Sequence, residues 1–167
     1  GYSVNRTYNV TYTTYRNRQY DVSSEAHQDY TGQTIGGGGR LTRTSTGWEA
    51  EVLGQRRTLK GRRGQTLAEV SIYTSEPIII EGSLSRASRK AVSGELNIAH
   101  KRMKFSTLLR PNNLEWSSSC CHPVSGSLDV ELSGSINKIG TVTYNGCGSA
   151  TLTTPDETKE LSLELCQ

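Results

Sequence analysis

Ser125-Gly126-Ser127-Leu128-Asp129-Val130-Glu131-Leu132-Ser133-Gly134-Ser135 is the clearest stretch of the chain. Gly126, Leu128, Val130 and Leu132 alternate with Ser127, Asp129 and Glu131. In an extended backbone successive side chains point to opposite faces, so this period of two puts the leucines and the valine on one side. Ser133-Gly134-Ser135 then turns the chain. The stretch predicts a strand with one face toward apolar neighbours and one toward water, followed by a hairpin.

The same pattern extends in both directions. Downstream, Ile139 to Tyr144 forms a returning strand, Asn145-Gly146 is a strong turn dipeptide, and Ala150 and Leu152 continue inward. After the turn at Thr154-Pro155-Asp156-Glu157, Leu161, Leu163 and Leu165 alternate with Ser162 and Glu164. Upstream, Val92, Gly94, Leu96 and Ile98 alternate with Ser93, Glu95, Asn97 and Ala99, and His100 falls at the strand end as a packed histidine. Trp48, Ala50 and Val52 oppose Glu49 and Glu51. Strands are expected over 47–53 and 66–73, with breaks at Glu76-Pro77 and at Arg110-Pro111-Asn112-Asn113. Helix signals are nearly absent. Short strands at such spacing predict an all-β antiparallel meander, forming an open curved sheet or barrel-like half-shell. Residues 1–167 read as a single all-β domain, with a cysteine module at about 116–167.

Composition supports a thin structure. Hydrophobic residues are 33% of the chain, with one Phe, one Met and two Trp, against roughly 45–50% in ordinary globular domains. No apolar run reaches the ~18 residues that a membrane-spanning helix needs. The chain opens on Gly1-Tyr2-Ser3, strand-like at once, so a targeting segment or lipid anchor is expected to precede it.

The net charge of +3 conceals an asymmetry: residues 40–110 hold fourteen basic and six acidic groups, while 111–167 hold two and seven. The densest cluster is Arg56, Arg57, Lys60, Arg62 and Arg63, expected on a solvent-facing hairpin tip. Guanidinium groups there suit phosphates or acidic sugars through bidentate contacts. Nucleic acid fits less well, because no aromatic residue is interleaved for stacking. A second surface is the tyrosine-rich N-terminal hairpin, where Tyr8, Tyr12 and Tyr15 offer ring faces for packing or for stacking a sugar. His27, near Asp21, Glu25 and Asp29, is the one histidine close in sequence to several carboxylates; it reads as part of a solvated polar segment and as the best enzyme candidate. Gly36-Gly37-Gly38-Gly39 lacks the following helix and Lys-Ser/Thr of a phosphate-binding loop, and predicts a flexible turn or a close backbone approach.

Cys120-Cys121-His122-Pro123, Cys147 and Cys166 complete the inventory. Four cysteines allow three pairings. Zinc held by Cys120 or Cys121 with His122, Cys147 and Cys166 is disfavoured by the adjacent cysteines and by the lack of Cys-x-x-Cys. A Cys121–His122 catalytic pair would need an activated free thiol, against the even cysteine count. No Gly-x-Ser-x-Gly elbow lies between a strand and a helix. No catalytic group, metal ligand set or cofactor site is therefore assigned.

Cys120-x-x-Pro123-Val124-Ser125-Gly126, followed by Gly146-Cys147 and Ala150-Thr151, resembles the C-terminal module of uncharacterised secreted β-rich proteins and lipoproteins of Gram-negative bacteria. The resemblance covers about residues 90–167. It departs at Gly148-Ser149, where an Asp-rich turn is usual, and Cys121 and Cys166 are additions. It implies a Cys120–Cys147 disulfide, which leaves Cys121–Cys166, the two bridges leaving opposite sides of one strand. It also implies the periplasm or cell surface, an oxidising setting. The expected function is a non-catalytic envelope protein with a structural, binding or adhesive role. Its expected partners are an anionic glycan, a lipid headgroup or another envelope protein. The alternatives are a carrier of a lipid or other apolar ligand in a curved sheet, and an enzyme.

Overall fold

The computed structural model describes residues 3–13 and 18–163. It is an antiparallel sheet with no α-helix among the described residues; a single 3₁₀ turn spans Arg86–Ser88. The strands are β1 (Ser3–Arg6), β2 (Asn9–Thr13), β3 (Gln19–Ser23), β4 (His27–Gln28), β5 (Thr34–Ile35), β6 (Gly38–Arg43) and β7 (Gly47–Lys60). They continue with β8 (Thr66–Gly82), β9 (Arg89–His100), β10 (Phe105–Glu115), β11 (Ser125–Gly134), β12 (Lys138–Tyr144), β13 (Ser149–Thr153) and β14 (Thr158–Ser162).

From β7 to β14 each strand pairs with the next, as the alternation predicts, and the sheet does not close. The strands that pack most are hydrogen-bonded neighbours, and among the described residues the only other sheet is the two-stranded β4–β5 hairpin. The accessible surface is 10124 Å², against about 8,100 Å² for a compact monomer of this mass. The excess is what a single-layer sheet leaves uncovered.

The N-terminal part is not a simple meander. β3 and β6 both pair with the same edge of β7: Gln19–Ser23 oppose Lys60–Arg56, and Gly38–Arg43 oppose Gly54–Trp48. They run in the same direction, end to end, so they occupy one row of the sheet. Residues 24–37 leave that row after Ser23 and rejoin it at Gly38. β1 pairs with β6 and β2 with β3, so the outer row is likewise split, at Thr7-Tyr8.

The excursion carries the small β4–β5 hairpin and lies on one face of the sheet. Ile35 anchors it, 3% exposed, and Ser71 and Ala99 beneath it are 3% and 1% exposed. His27 Nε2 meets the Ser71 hydroxyl at 2.9 Å, and Ser106 Oγ donates to the Tyr30 hydroxyl at 3.3 Å. The glycine run that re-enters the sheet is a close approach. A Cβ on Gly37 would collide with the Ser24 carbonyl oxygen, and one on Gly54 with that of Gly36.

Cross-strand rows separate the two faces. Ile72–Ile98–Thr107–Leu132, Thr74–Leu96–Leu109–Val130 and Pro111–Leu128–Val142–Leu152 stand on one side. The other side carries Arg110–Asp129–Thr141–Thr153 and Tyr73–Asn97–Leu108–Glu131. On it Arg110 bridges Glu95 at 2.7 Å and Glu131 at 3.0 Å. The second row of cover lies at the far end, where Trp48, Ile80, Ala91 and Leu114 align across four strands.

Some boundaries differ from the sequence reading. The strand expected over 47–53 runs to Lys60, and that over 66–73 runs to Gly82. Glu76-Pro77 does not break the latter, because register shifts on either side of Glu76 absorb the proline. β10 likewise passes through Pro111, which pairs with Leu128, while its ladder to β9 lapses over 110–113 and so accommodates a residue without an N–H. Residues 21–29, the polar segment around His27, hold the end of β3 and the short β4 with irregular backbone between them.

The Cys120–Cys147 disulfide is present, with Cα atoms 5.7 Å apart. Cys121 is also disulfide-bonded, and Cys166, its expected partner, lies outside the described residues. One correction concerns geometry. Cys120 and Cys121 do not sit within a strand; they lie in the connection between β10 and β11, where the chain is free of ladder constraints. The bridge ties that connection to the β12–β13 turn.

A candidate anion-binding end of the sheet

In an antiparallel meander alternate turns fall at the same end. The turns after β7, β9 and β11 therefore lie at one end of the sheet, and the Cys120–Cys147 bridge lies at the other. The row Val70–His100–Phe105–Gly134 marks where these turns begin. His100 closes β9 and stacks on Phe105 with ring centroids 4.3 Å apart, and burial pushes its pKa down. Beyond that row, the β7–β8 tip projects by several residues.

Hydrogen bonds knit the turns together. The Lys101 ammonium meets Glu69 at 2.8 Å, Arg102 donates to the Leu67 carbonyl at 3.1 Å, and the Ser135 amide donates to the Lys104 carbonyl at 2.9 Å. The result gathers Arg62 and Arg63 of the first tip, Lys101, Arg102 and Lys104 of the second, and Lys138 beside the third. All are exposed. Arg18, just ahead of β3, joins Arg62, Arg63, Gln65 and Leu67 around an open cavity of about 430 Å³. Lys60 and Lys101 are ion-paired, to Asp21 and Glu69. Among the described residues no carboxylate pairs with Arg63, Arg102, Lys104 or Lys138. The β13–β14 turn adds Asp156 and Glu157 to this end.

The five cations singled out in the sequence are thus split. Arg62 and Arg63 lie on the tip. Lys60 ends β7, its ammonium 2.8 Å from Asp21. That contact, with donors from Gln19 and Thr11, pulls the Asp21 pKa down to about 2. Arg56 and Arg57 are strand residues on opposite faces, paired to Ser71 and Val70, and Arg57 donates to Gln55 at 2.5 Å. They are not part of a loop, because β7 continues three residues past Arg57. Sequence reading missed Arg18, Lys101, Arg102, Lys104 and Lys138, which are dispersed along the chain. The alternation of turns in a meander is the signal that assembles them.

The other candidates are placed as follows. Tyr8 falls at the break between β1 and β2, 44% exposed, with its hydroxyl bonded to the Gln55 amide. Tyr12 pairs with Tyr20 in the β2–β3 ladder. Tyr15 lies outside the described residues.

His27 is not surrounded by its neighbouring carboxylates. Asp21 is bonded to Lys60, Glu25 accepts from Asn9 at 3.1 Å, and Asp29 accepts from Thr31 and Gln33 in its own turn. His27 Nδ1 meets the Glu25 carbonyl at 2.9 Å, which can only accept, so that nitrogen carries the proton. In the neutral ring Nε2 accepts from Ser71 Oγ. The pair has the geometry of a base and a hydroxyl, but Ser71 is sealed under the hairpin, so the contact fastens the hairpin. No group of three or more His, Cys, Asp or Glu able to hold a metal converges among the described residues, and the Cys120–Cys147 bond removes two of the proposed zinc ligands.

Comparison with protein-family models, curated proteins and solved structures found no match.

Proposed function

We propose that the chain is a non-catalytic protein of the bacterial cell envelope that contacts anionic surfaces through the cation-rich end of its sheet. The observation that carries this reading is that Arg62, Arg63, Lys101, Arg102, Lys104 and Lys138, in or beside three separate turns, lie at one end of the sheet. Like charges held together on exposed turns raise the local positive potential and attract polyanions. The disulfides and the resemblance of residues 90–167 to secreted β-rich proteins and lipoproteins support an oxidising location in the periplasm or at the cell surface.

Retention on immobilised heparin, a polyanion probe, tests it. The expected result is retention that falls with salt and weakens when Arg62, Arg63, Arg102 and Lys104 are changed to Ser. Unchanged retention in that variant sinks the reading.

A second reading, a carrier of an apolar ligand, rests on the apolar face that Ile72, Leu96, Leu109, Val130 and Leu152 form between β8 and β13. Native mass spectrometry of the purified protein would then show bound lipid; a ligand-free protein counts against it.

A further inference from the structure

The cation-rich end carries two apolar side chains that neither the core nor the turns require. Met103 is 57% exposed in the β9–β10 turn, and Ile136 is 39% exposed in the β11–β12 turn. Turns of this kind ordinarily use Gly, Asn, Asp or Ser. Here the sequence is Lys101-Arg102-Met103-Lys104, and Lys104 takes the left-handed conformation (φ 54°) usually left to glycine. The two turns are joined directly: Ser135 Oγ donates to the Met103 carbonyl at 2.6 Å and its amide to the Lys104 carbonyl at 2.9 Å. Met103 and Ile136 therefore project from adjoining turns, with Lys101, Arg102, Lys104 and Lys138 beside them and the Arg62-Arg63 tip on the same end.

Apolar tips ringed by lysine and arginine match the layering of an anionic bilayer surface. The side chains enter the boundary between headgroups and acyl chains while the cations meet lipid phosphates. A soluble polyanion has no apolar layer to receive them. We propose that this end docks on an anionic lipid bilayer, with Met103 and Ile136 as the inserted residues. The proposal rests on the anionic-surface reading and names which surface it is.

Co-sedimentation with vesicles of phosphatidylcholine containing phosphatidylglycerol, beside vesicles of phosphatidylcholine alone, tests it on the full chain. Binding is expected to the anionic vesicles only. Changing Met103 and Ile136 together to Ser should lower the partition by about tenfold or more, while heparin retention and the urea midpoint stay as in the parent. Equal vesicle binding by that variant overturns the insertion. Heparin retention without vesicle binding overturns the lipid assignment and leaves a polyanion or protein partner, with the broader reading intact. Loss of both in the parent protein overturns the broader reading itself.

Discussion

Gly37 sits against the carbonyl oxygen of Ser24 so closely that a Cβ there would overlap it. These residues are the two ends of the excursion that leaves the row of β3 and returns as β6. Gly37→Ala must push apart backbone that the β7 ladder holds on both sides. A loss of about 1–3 kcal/mol, the usual range for overpacking, is expected in urea unfolding. Gly61→Ala is a softer control, since only the flexible Gln65 side chain stands in its way.

The excursion should also detach as a unit. Ile35 is its buried anchor, and Ile35→Ala should cost about 2–4 kcal/mol. Hydrogen exchange would then show faster exchange at residues 27–35, and at Ser71 and Ala99 beneath, than at β10 and β11. Uniform acceleration across the sheet would show that the hairpin is not a separate cooperative segment.

Removing the Cys120–Cys147 bond by changing both cysteines to Ser should lower stability by about 3.5 kcal/mol on the chain-entropy account of a loop this long. The expected signature is a lower urea midpoint with looser exchange at the β10–β11 connection and the β12–β13 turn. An unchanged midpoint would mean that the remaining contacts of the connection suffice.

Asp21 links stability to acid. Its folded pKa, about 2, lies below the unfolded value, so its contribution is present above about pH 4 and is lost as the pH falls toward 2. Asp21→Asn should therefore lower the melting temperature at neutral pH and flatten its dependence between about pH 4 and 2. High salt should shrink the difference, because both side chains of the pair keep contact with water. An unaltered acid profile in the variant would assign the acid sensitivity to other carboxylates, Glu95 beside Arg110 first among them.

Local alternation made much of the sheet legible. Leu128, Val130 and Leu132 stand on one face, as their spacing requires, and the Asn145-Gly146 turn joins the strands on either side of it. The N-terminal arrangement was not legible, because the pairing of β1 with β6 and of β3 with β7 depends on contacts between distant segments, for which the local pattern holds no signal. Pro77 and Pro111 misled for a different reason: a proline ends a strand in isolation, but register shifts and a lapsed ladder let a long one continue. The cation-rich end was half legible. Arg62 and Arg63 stood out as a cluster, while Lys101, Arg102, Lys104 and Lys138 became its neighbours only once the hairpins were counted and their turns assigned to ends.

The row shared by β3 and β6 reads, along its length, as a single strand into which residues 24–37 have been spliced. Its rungs to β7 lie on either side of the splice, and none of them is made by the spliced segment. With the Ser24–Gly37 contact kept, what lies between them contributes no pair that sets the register of the ladder. What a change there would alter is the roof over Ser71 and Ala99. The sheet thus separates a fixed frame from a replaceable cover, and a graft between Ser24 and Gly37 is the natural place to give this frame a different surface.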